Sequence, residues 1–475
     1  MKALCPLLLA IAGLLLALSG CGGAGRPAPL DHDIRPTIHL PPTFTPTASP
    51  SSTALPGSTP TIAPTQTPNA TISPAFTPEP TATAASKPVQ SPVTISDDAR
   101  VLQHAVDPSP ILQQLAPLYL EAANANIVSY DGRRAIIPSP AYTNGIYVRD
   151  AFYATLGLED AALFEEAYRW FEAAQLPSGQ IPTAVAFDPA DQSLIPRDDE
   201  STLIFLIWSG LLQRQGKSAN PEVIAKALDF VQKHELNARY LSPPGNFRYW
   251  ADCWRVTLSQ AITYNQGYYA LALQMMLEMK QEGVTPEMAE RAATIYRAQF
   301  KPRTGLFTLS DRWPGIFLQD SSALMPEFLH RLFFQRGMIP NDAIPIILNH
   351  RLITAGVAGD NGALLGLKNI ANADGSFANP LFFECPTSGK PGDYQNGGNW
   401  PLWTNTELAL AYSVRPDACY RQALETLVQR ELADGSPEEY WELSEDAPGL
   451  VSPNRSGYAW NALIVRALRF SGLIH

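Results

Sequence analysis

The sequence has 475 residues, with 34 lysines and arginines against 45 aspartates and glutamates, giving a formal net charge of −11 and a pI near 5.2. Phosphates and anionic membrane surfaces repel such an acidic chain, so we expect no nucleic-acid partner and favour neutral or cationic ligands. The length exceeds that of an average domain but suits one large closed repeat architecture.

Residues 1–20 have the order of a secretory signal. Lys2 precedes an apolar run that ends in small residues. The run is shorter than the ~20 apolar residues of a stable membrane span. The tetrapeptide LSGC (18–21) resembles the lipobox of bacterial lipoproteins, which predicts export and a lipid anchor on Cys21. An ordinary cleaved signal peptide is the alternative.

Residues 21–96 form a predicted linker. From about 36 to 86 the chain is dominated by Pro, Thr, Ser and Ala, and Glu79 is the only Asp, Glu, Lys or Arg in it. Such a segment cannot bury a core, so we expect a disordered, semi-rigid spacer. The predicted globular domain spans 97–475.

Cysteines and histidines offer no metal site. Once Cys5 is cleaved off and Cys21 is lipidated, three cysteines remain, and a Cys253–Cys385 disulfide stays an open possibility. The seven histidines show no paired-ligand spacing. We therefore predict neither a metal nor a cofactor.

Apolar periodicity predicts twelve helices, and strand patterns are short, at 127–137 and 306–313. The predicted class is all-α with small loop strands. The helices are expected near 110–124, 147–158, 160–174, 200–214, 220–234, 262–280, 286–300, 321–336, 341–353, 402–413, 416–431 and 457–471.

Short and long connections alternate between these helices. Six antiparallel hairpins joined in this way can close into an (α/α)6 toroid with alternating inner and outer helices. An inner helix should be apolar all round, like STLIFLIWSGLL (201–212), and an outer helix should keep a polar face, like PEVIAKALDFVQKHE (221–235). Trp170 and Trp208, inside helices, are expected in the core.

Unusual polar and aromatic clusters precede every even-numbered helix. In a closed ring these helices all start at one end, so the six clusters must converge. Carboxylates and amides bind hydroxyls, and indole faces cover the apolar side of a sugar ring, so the clusters predict a pocket for a neutral polyol. The clusters are 143–150, 195–200, 246–255, 317–322, 393–403, and 435–443 with 453–460.

The clusters resemble motifs of the six-hairpin glycosidase clan, which includes glucoamylase-like, trehalase-like and neutral-invertase-like families. NGGNWP (396–401) is similar to the NGG-x-WP element of neutral invertases, and YVRDAFYATLGL (147–158) resembles their RDF-x-x-x-L segment. SPEEYWEL (436–443) resembles the element that supplies the base, and NRSGYAW (454–460) takes the place of the closing Trp-Ser or Trp-Thr element.

The resemblance implies Asp252 as general acid and Glu438 as general base, with Glu439 and then Glu384 as alternative bases. Clan members act with inversion, which places the two carboxyl groups ~6.5–9.5 Å apart. Tyr249 and Trp250 flank Asp252 with apolar surface that would raise its pKa, as a general acid requires. A structural role for Asp252, as a cap or an ion pair, is the competing interpretation.

A further set of residues is expected to bind the sugar. For Gln319 and Asp320 a simple helix-capping role is equally open, and Asp199 is expected both to cap its helix and to bind hydroxyls. The predicted binding residues are Arg149, Asp150, Asp199, Trp250, Tyr264, Asn265, Gln319, Asp320, Glu384, Asn396, Trp400, Glu439 and Trp460.

The sequence departs from neutral invertases after the acid, where it has Cys253-Trp254-Arg255 instead of paired arginines. We therefore expect α-linked glucosides or related oligosaccharides, cleaved from an end by a monomeric surface enzyme. A non-catalytic sugar-binding lipoprotein is the alternative. A polysaccharide lyase or sugar epimerase would need a catalytic His or Tyr at the mouth, and the six clusters hold no histidine.

Overall fold

The computed structural model describes residues 107–188, 190–191, 200–241, 249–251, 261–311, 318–359, 362–383, 390–443, 450–451 and 456–475. Within these ranges lie twelve α-helices, in agreement with the predicted segments. They are α1 Pro110–Ala125, α2 Val148–Leu158, α3 Ala161–Ala173, α4 Glu200–Arg214, α5 Pro221–Lys233, α6 Thr263–Glu278, α7 Pro286–Arg297, α8 Met325–Phe334, α9 Ala343–Thr354, α10 Pro401–Val414, α11 Ala418–Asp434 and α12 Ala462–Phe470.

Two helices begin later than their apolar periodicity predicts. The segment Ser321–Leu324 before α8 and the segment Ala459–Asn461 before α12 are 3-10 turns. A tighter turn is common at a helix start, and at the first of these Asp320 accepts a hydrogen bond from the Ser322 amide.

The even-numbered helices form a closed inner ring. Each of α2, α4, α6, α8 and α10 packs against the next in this series, and α12 packs back against α2. The odd-numbered helices lie outside, and α1 closes the outer layer by contacting α11 and α12. The predicted (α/α)6 toroid is confirmed.

Burial follows the predicted division into inner and outer helices. Every residue of α4 from Glu200 to Leu212 is buried, whereas α5 buries only Ile224, Ala227, Leu228, Phe230 and Val231. Trp208 on α4 packs among Phe152 and Phe164, and Trp170 on α3 is also buried. Both tryptophans therefore belong to the core, as predicted.

All described strands lie in the connections that run from an outer helix to the next inner helix. They form antiparallel pairs: β1 Ile127–Tyr130 with β2 Arg133–Ile136, β3 Gly145–Tyr147 with β4 Ala184–Ala186, β5 Glu235–Leu236 with β6 Arg239–Tyr240, β7 Phe300–Lys301 with β8 Leu306–Phe307, β9 Leu318–Asp320 with β12 Ile370–Asn372, β10 Gly356–Ala358 with β11 Leu364–Leu367, and β13 Glu442–Leu443 with β14 Leu450–Val451. We call this end of the ring the loop end, and the other, with its short connections, the link end.

Backbone pairing ties neighbouring connections together at the loop end. The β3–β4 pair joins the connections before α2 and α4, and β9–β12 joins those before α8 and α10. Single bridges join Ile262 to Ser310 and Asn399 to Trp441, which links the connection before α10 to that before α12. The side chains on these segments are thus placed against one another by the backbone.

Candidate functional site

Four tryptophans from three connections meet at the loop end. We call Trp250, Trp400, Trp403 and Trp460 the tryptophan cluster. The Trp250 ring lies 5.0 Å from the rings of both Trp400 and Trp403, and the Trp460 ring lies 5.8 and 5.4 Å from them. All four are buried. Trp250 precedes α6, Trp400 and Trp403 open α10, and Trp460 precedes α12, so these connections converge as predicted.

The DYQNGGNWPLW segment (393–403) turns tightly so that Trp400 can join this cluster. Gly397 has φ +91°, and a Cβ there would lie 2.4 Å from the Phe377 ring. A Cβ on Gly398 would lie 2.3 Å from the Tyr394 carbonyl oxygen. Both glycines are therefore required by close approach. Trp400 then stacks on Tyr440 with ring centroids 5.4 Å apart.

Beside the tryptophans a charged pair joins α2 to α4. Arg149 Nη1 lies 2.7 Å from Glu200 Oε1, and the Glu200 side chain is fully buried. The Arg149 guanidinium also lies 5.4 Å above the Trp460 ring. Arg149 and Trp460, both predicted to bind sugar, are thus brought together.

Glu200 was missed by sequence reasoning. The cluster IPRDDE (195–200) predicts a binding acid, and the sequence favours Asp199 among its three acids. Asp199 lies outside the described residues, whereas Glu200 is the first residue of α4 and lies against Arg149. The signal was the predicted start of the fourth helix at 200, since the first helical residue already faces the ring.

Three phenols from α2 and α6 lie beneath this pair. Tyr153 Oη is 2.9 Å from Tyr264 Oη and also hydrogen bonds Tyr268. Burial, and then the Glu200 charge, raise the pKa values of Tyr153 and Tyr264. Tyr264, predicted as a binding residue, is therefore a neutral phenol next to the buried charges, and its neighbour Asn265 is buried on the same helix turn.

Three predicted acids are buried at the loop end. Asp150 is 3 % exposed, Glu438 is 4 % exposed and Glu439 is 3 % exposed. After burial itself, the charges of Glu439 and Asp150 are the largest causes of the raised pKa of Tyr458, so both carboxylates lie near that phenol. The connections before α2 and α12 therefore share one acidic region.

Glu438 stands on a fixed backbone. It pairs with Ser456 in an antiparallel bridge, and its carbonyl oxygen accepts a hydrogen bond from Asn461 Nδ2 at 2.8 Å. The Glu438 charge also contributes to the raised pKa of Glu431, after burial and Asp434. Glu431 belongs to α11 and is held by Tyr119 and Asn405.

Asp320 and Gln319 make the hydrogen bonds of structural residues. The Asp320 carboxylate accepts from the Ser322 amide at 2.9 Å and from Ser322 Oγ at 2.7 Å, so it caps the 3-10 turn before α8. Gln319 Nε2 donates to Thr354 Oγ1 and to the Asn372 carbonyl. Asp320 still reaches the tryptophan cluster, because Trp250 Nε1 donates to Ser322 Oγ at 2.6 Å.

The remaining predicted residues either have a structural role or lie outside the described residues. Asn396 is buried and donates to the Ala378 carbonyl at 3.0 Å, which holds the turn of the 393–403 segment. Asp252, Asp199, Glu384, Cys21 and the cysteines Cys253 and Cys385 lie outside the described residues.

Within the described ranges no three His, Cys, Asp or Glu side chains are placed to hold a metal ion. None of the described helices has the length and hydrophobicity needed to cross a membrane.

The chain has the fold of solved glycosidases at low sequence identity. One structure described as a wild-type glycosidase is 15% identical with a TM-score of 0.51, and a glycosidase variant in complex with glucose is 16% identical with a TM-score of 0.52. Each match covers 77% of this chain and 98% of the other. No protein-family model matches the sequence, and no curated protein matches it. The likeness establishes the toroidal fold.

Proposed function

We propose that this chain is an exported, lipid-anchored glycoside hydrolase that cleaves α-linked glucosides or related oligosaccharides from an end, with inversion. The observation that carries the proposal is the meeting of buried carboxylates with the tryptophan cluster. Glu438 and Glu439 lie in the connection that supplies Trp460. Asp150 follows Arg149, whose guanidinium lies above the Trp460 ring and pairs with Glu200. Indole faces and carboxylates together are what a neutral sugar needs.

Glu438 is proposed as the general base. Its backbone is fixed by Ser456 and Asn461, so its carboxylate can be held against a water molecule without a large ordering cost. In inversion this water attacks the anomeric carbon while the general acid protonates the leaving oxygen from the opposite face. Asp252, two residues after Trp250 in the sequence, is proposed as that acid. Glu439, which faces Tyr458, is the alternative base.

The inner-helix N-termini supply part of the electrostatics. Each such terminus carries a partial positive charge. The inner helices all begin at the loop end, where these termini offset some of the cost of gathering buried acids. Arg149 supplies a full positive charge next to Glu200. These positive charges favour the ionised form of the carboxylates next to them.

A lyase or epimerase reaction that uses a tyrosine phenolate as its base is less well supported than hydrolysis. A catalytic phenolate needs a lowered pKa, but burial raises the pKa values of Tyr153, Tyr264, Tyr268 and Tyr458. The solved glycosidase in complex with glucose, which shares the fold, adds support for a sugar ligand.

The test is a hydrolysis panel of α-glucosides, sucrose, trehalose and mannosides, with NMR of the released anomer. Asp252→Asn and Glu438→Gln should each lower kcat by about 10²–10⁴-fold while leaving sugar binding largely intact. Exposed acids provide matched controls, Asp229→Asn on α5 and Glu121→Gln on α1. Parent-like turnover in both test variants would refute the acid/base pair, and retained sugar binding without hydrolysis would favour the binding-protein alternative.

The proposed location has its own test. Cys21→Ser should release the protein from the membrane fraction, because the acylated cysteine is the proposed anchor. A variant that stays in that fraction would show that another feature holds the protein there.

A further inference from the structure

The tryptophan cluster divides into two pairs by what its indole N–H groups contact. Trp250 Nε1 donates to Ser322 Oγ at 2.6 Å, and Trp400 Nε1 donates to the Tyr394 carbonyl oxygen at 3.0 Å. The Nε1 atoms of Trp403 and Trp460 are also buried, yet neither meets an acceptor among the residues that the structure describes. Two indoles are thus fixed within the protein, and two keep an unused donor.

An unused buried indole N–H is unusual. Indole nitrogen can only donate, and the large majority of buried polar groups have a hydrogen-bond partner. Trp403 and Trp460 are each only 1 % exposed. Leaving such a donor without an acceptor opposes folding, so a pair of them side by side indicates an acceptor other than the described residues, and a bound ligand can supply it.

The two donors stand on neighbouring elements. Trp403 lies in the first turn of α10 and Trp460 in the 3-10 turn before α12, with ring centroids 5.4 Å apart and planes at 62°. Tyr153 contacts both rings, at 6.0 and 6.5 Å, and Arg149 lies above Trp460. The two indoles therefore lie within the span of one small ligand.

We propose that Trp403 and Trp460 donate hydrogen bonds to the sugar, whereas Trp250 and Trp400 only cover it with their faces. The acceptors would be hydroxyl or ether oxygens of a neutral ligand, because the acids around the pair disfavour an anion. This inference rests on the proposed function, since it concerns the same site. Trp403 was not among the residues predicted from the sequence to bind sugar.

The experiment replaces single tryptophans with 3-benzothienylalanine, which substitutes sulfur for the indole N–H at nearly the same shape. At 403 and at 460 we expect about tenfold weaker glucose binding and about tenfold lower kcat/KM on the best panel substrate, because one hydrogen bond is lost. The melting temperature of the free protein should stay the same or rise, since an unsatisfied donor is removed.

Trp208 is the matched control. It is fully buried in the core, and its Nε1 donates to the Phe164 carbonyl at 3.2 Å. The same replacement there should lower the melting temperature and leave glucose binding and kcat/KM unchanged. A replacement that weakens glucose binding without lowering the melting temperature identifies a donor to the ligand. A replacement that lowers only the melting temperature identifies a structural donor.

Deoxy sugars identify the accepting oxygen. Methyl α-glucosides that lack one hydroxyl each should bind the parent more weakly at the position that Trp403 or Trp460 contacts. The benzothienyl variant should show no further loss with that sugar. An equal loss with every deoxy sugar would contradict donation to a particular hydroxyl.

The outcomes distinguish the two proposals. If the parent hydrolyses a sugar and the 403 and 460 replacements behave like the 208 control, the inference is wrong and the proposed function stands. If glucose binding responds at 403 and 460 but nothing is hydrolysed, the hydrolase proposal is wrong and the inference stands. If the parent neither binds nor hydrolyses any sugar, both are wrong.

Discussion

The two ends of the ring start their helices differently. At the link end, side chains of Ser109, Asp160, Asn220, Thr285 and Asp417 cap the outer helices α1, α3, α5, α7 and α11. At the loop end, the described residues at the starts of α2, α6, α8, α10 and α12 make no side-chain capping bond to their helices. Side-chain capping therefore stabilises helix starts at the link end, and the described helix starts at the loop end lack this contribution.

The charges differ in the same way. At the link end Arg469 pairs with Glu159 with both side chains more than a third exposed, whereas at the loop end Arg149 pairs with a fully buried Glu200. An exposed ion pair changes the free energy of folding little, whereas a buried charge destabilises the folded state unless a partner compensates for its lost hydration. Such local costs are expected where function, not folding, selects the residues.

The largest difference in stability between the two ends should appear when one arginine is replaced at each end in turn. Arg149→Met removes the arginine charge that pairs with the fully buried Glu200 carboxylate, so we expect the free energy of unfolding to fall by about 3 kcal/mol. Arg469→Met should cost no more than about 1 kcal/mol. Urea unfolding measures both, and equal losses would break the comparison.

Removing a hydroxyl should also cost more stability at the loop end than at the link end. Ser322→Ala deprives both Trp250 Nε1 and the Asp320 carboxylate of a partner and should cost about 2 kcal/mol, with a changed near-UV circular dichroism of the tryptophans. Ser471→Ala, whose hydroxyl donates to the Leu468 carbonyl at the link end, should cost about 0.5 kcal/mol. A Ser322→Ala variant with the parent's spectrum would contradict the role of this hydroxyl.

The pH dependence of stability offers a third contrast. Burial, then Asp434 and Glu438, hold the pKa of Glu431 well above its ordinary 4.5. The folded state therefore prefers the protonated acid, and the parent should lose stability as pH rises from about 4.5 toward the raised pKa. Glu431→Gln removes this loss, so its stability relative to the parent should increase with pH by about 1 kcal/mol or more.

Unfolding in urea at pH 4, 6 and 8 measures the effect of Glu431→Gln. Glu121→Gln, an exposed change on α1, is the control and should keep the parent's pH slope. If the Glu431 and Glu121 variants have the same slope, the buried acid is not protonated in the folded state.

The last comparison concerns a link-end cap, where we expect a small effect. Asn220 accepts a hydrogen bond from the Glu222 amide at 3.0 Å, so Asn220→Ala should cost about 1 kcal/mol of stability and leave hydrolysis unchanged. Asn220→Ser should retain most of the stability. A loss of turnover in Asn220→Ala would show that the two ends are coupled.

Much of the fold could be predicted because inner and outer helices bury different fractions of their surface. In the sequence α4 is apolar on all sides and α5 keeps a polar face, as expected for an inner and an outer helix. This difference indicates a ring with two layers of helices. The 3-10 turns before α8 and α12 were missed because apolar periodicity does not distinguish a 3-10 turn from the first turn of an α-helix.

The candidate site was predicted less completely. Position before an even-numbered helix identified Arg149, Trp400 and Trp460, which the structure brings into one network. The predicted helix start at 200 held the signal for Glu200, but position alone does not say whether the residue before a helix or its first residue faces the ring, so the sequence favours Asp199. The sequence also could not show that the Asp320 carboxylate accepts a hydrogen bond from Ser322, because an aspartate in this position can either cap a helix or bind a ligand.

The closure of the ring also sets the order in which this protein can fold. The Ser109 amide donates to the Leu473 carbonyl, and its hydroxyl donates to Glu425, so the first helix is held by residues synthesised more than 300 positions later. Contacts so distant along the chain are slow to form. The six connections can reach their final arrangement, with the four tryptophans in contact, only after α12 has been made.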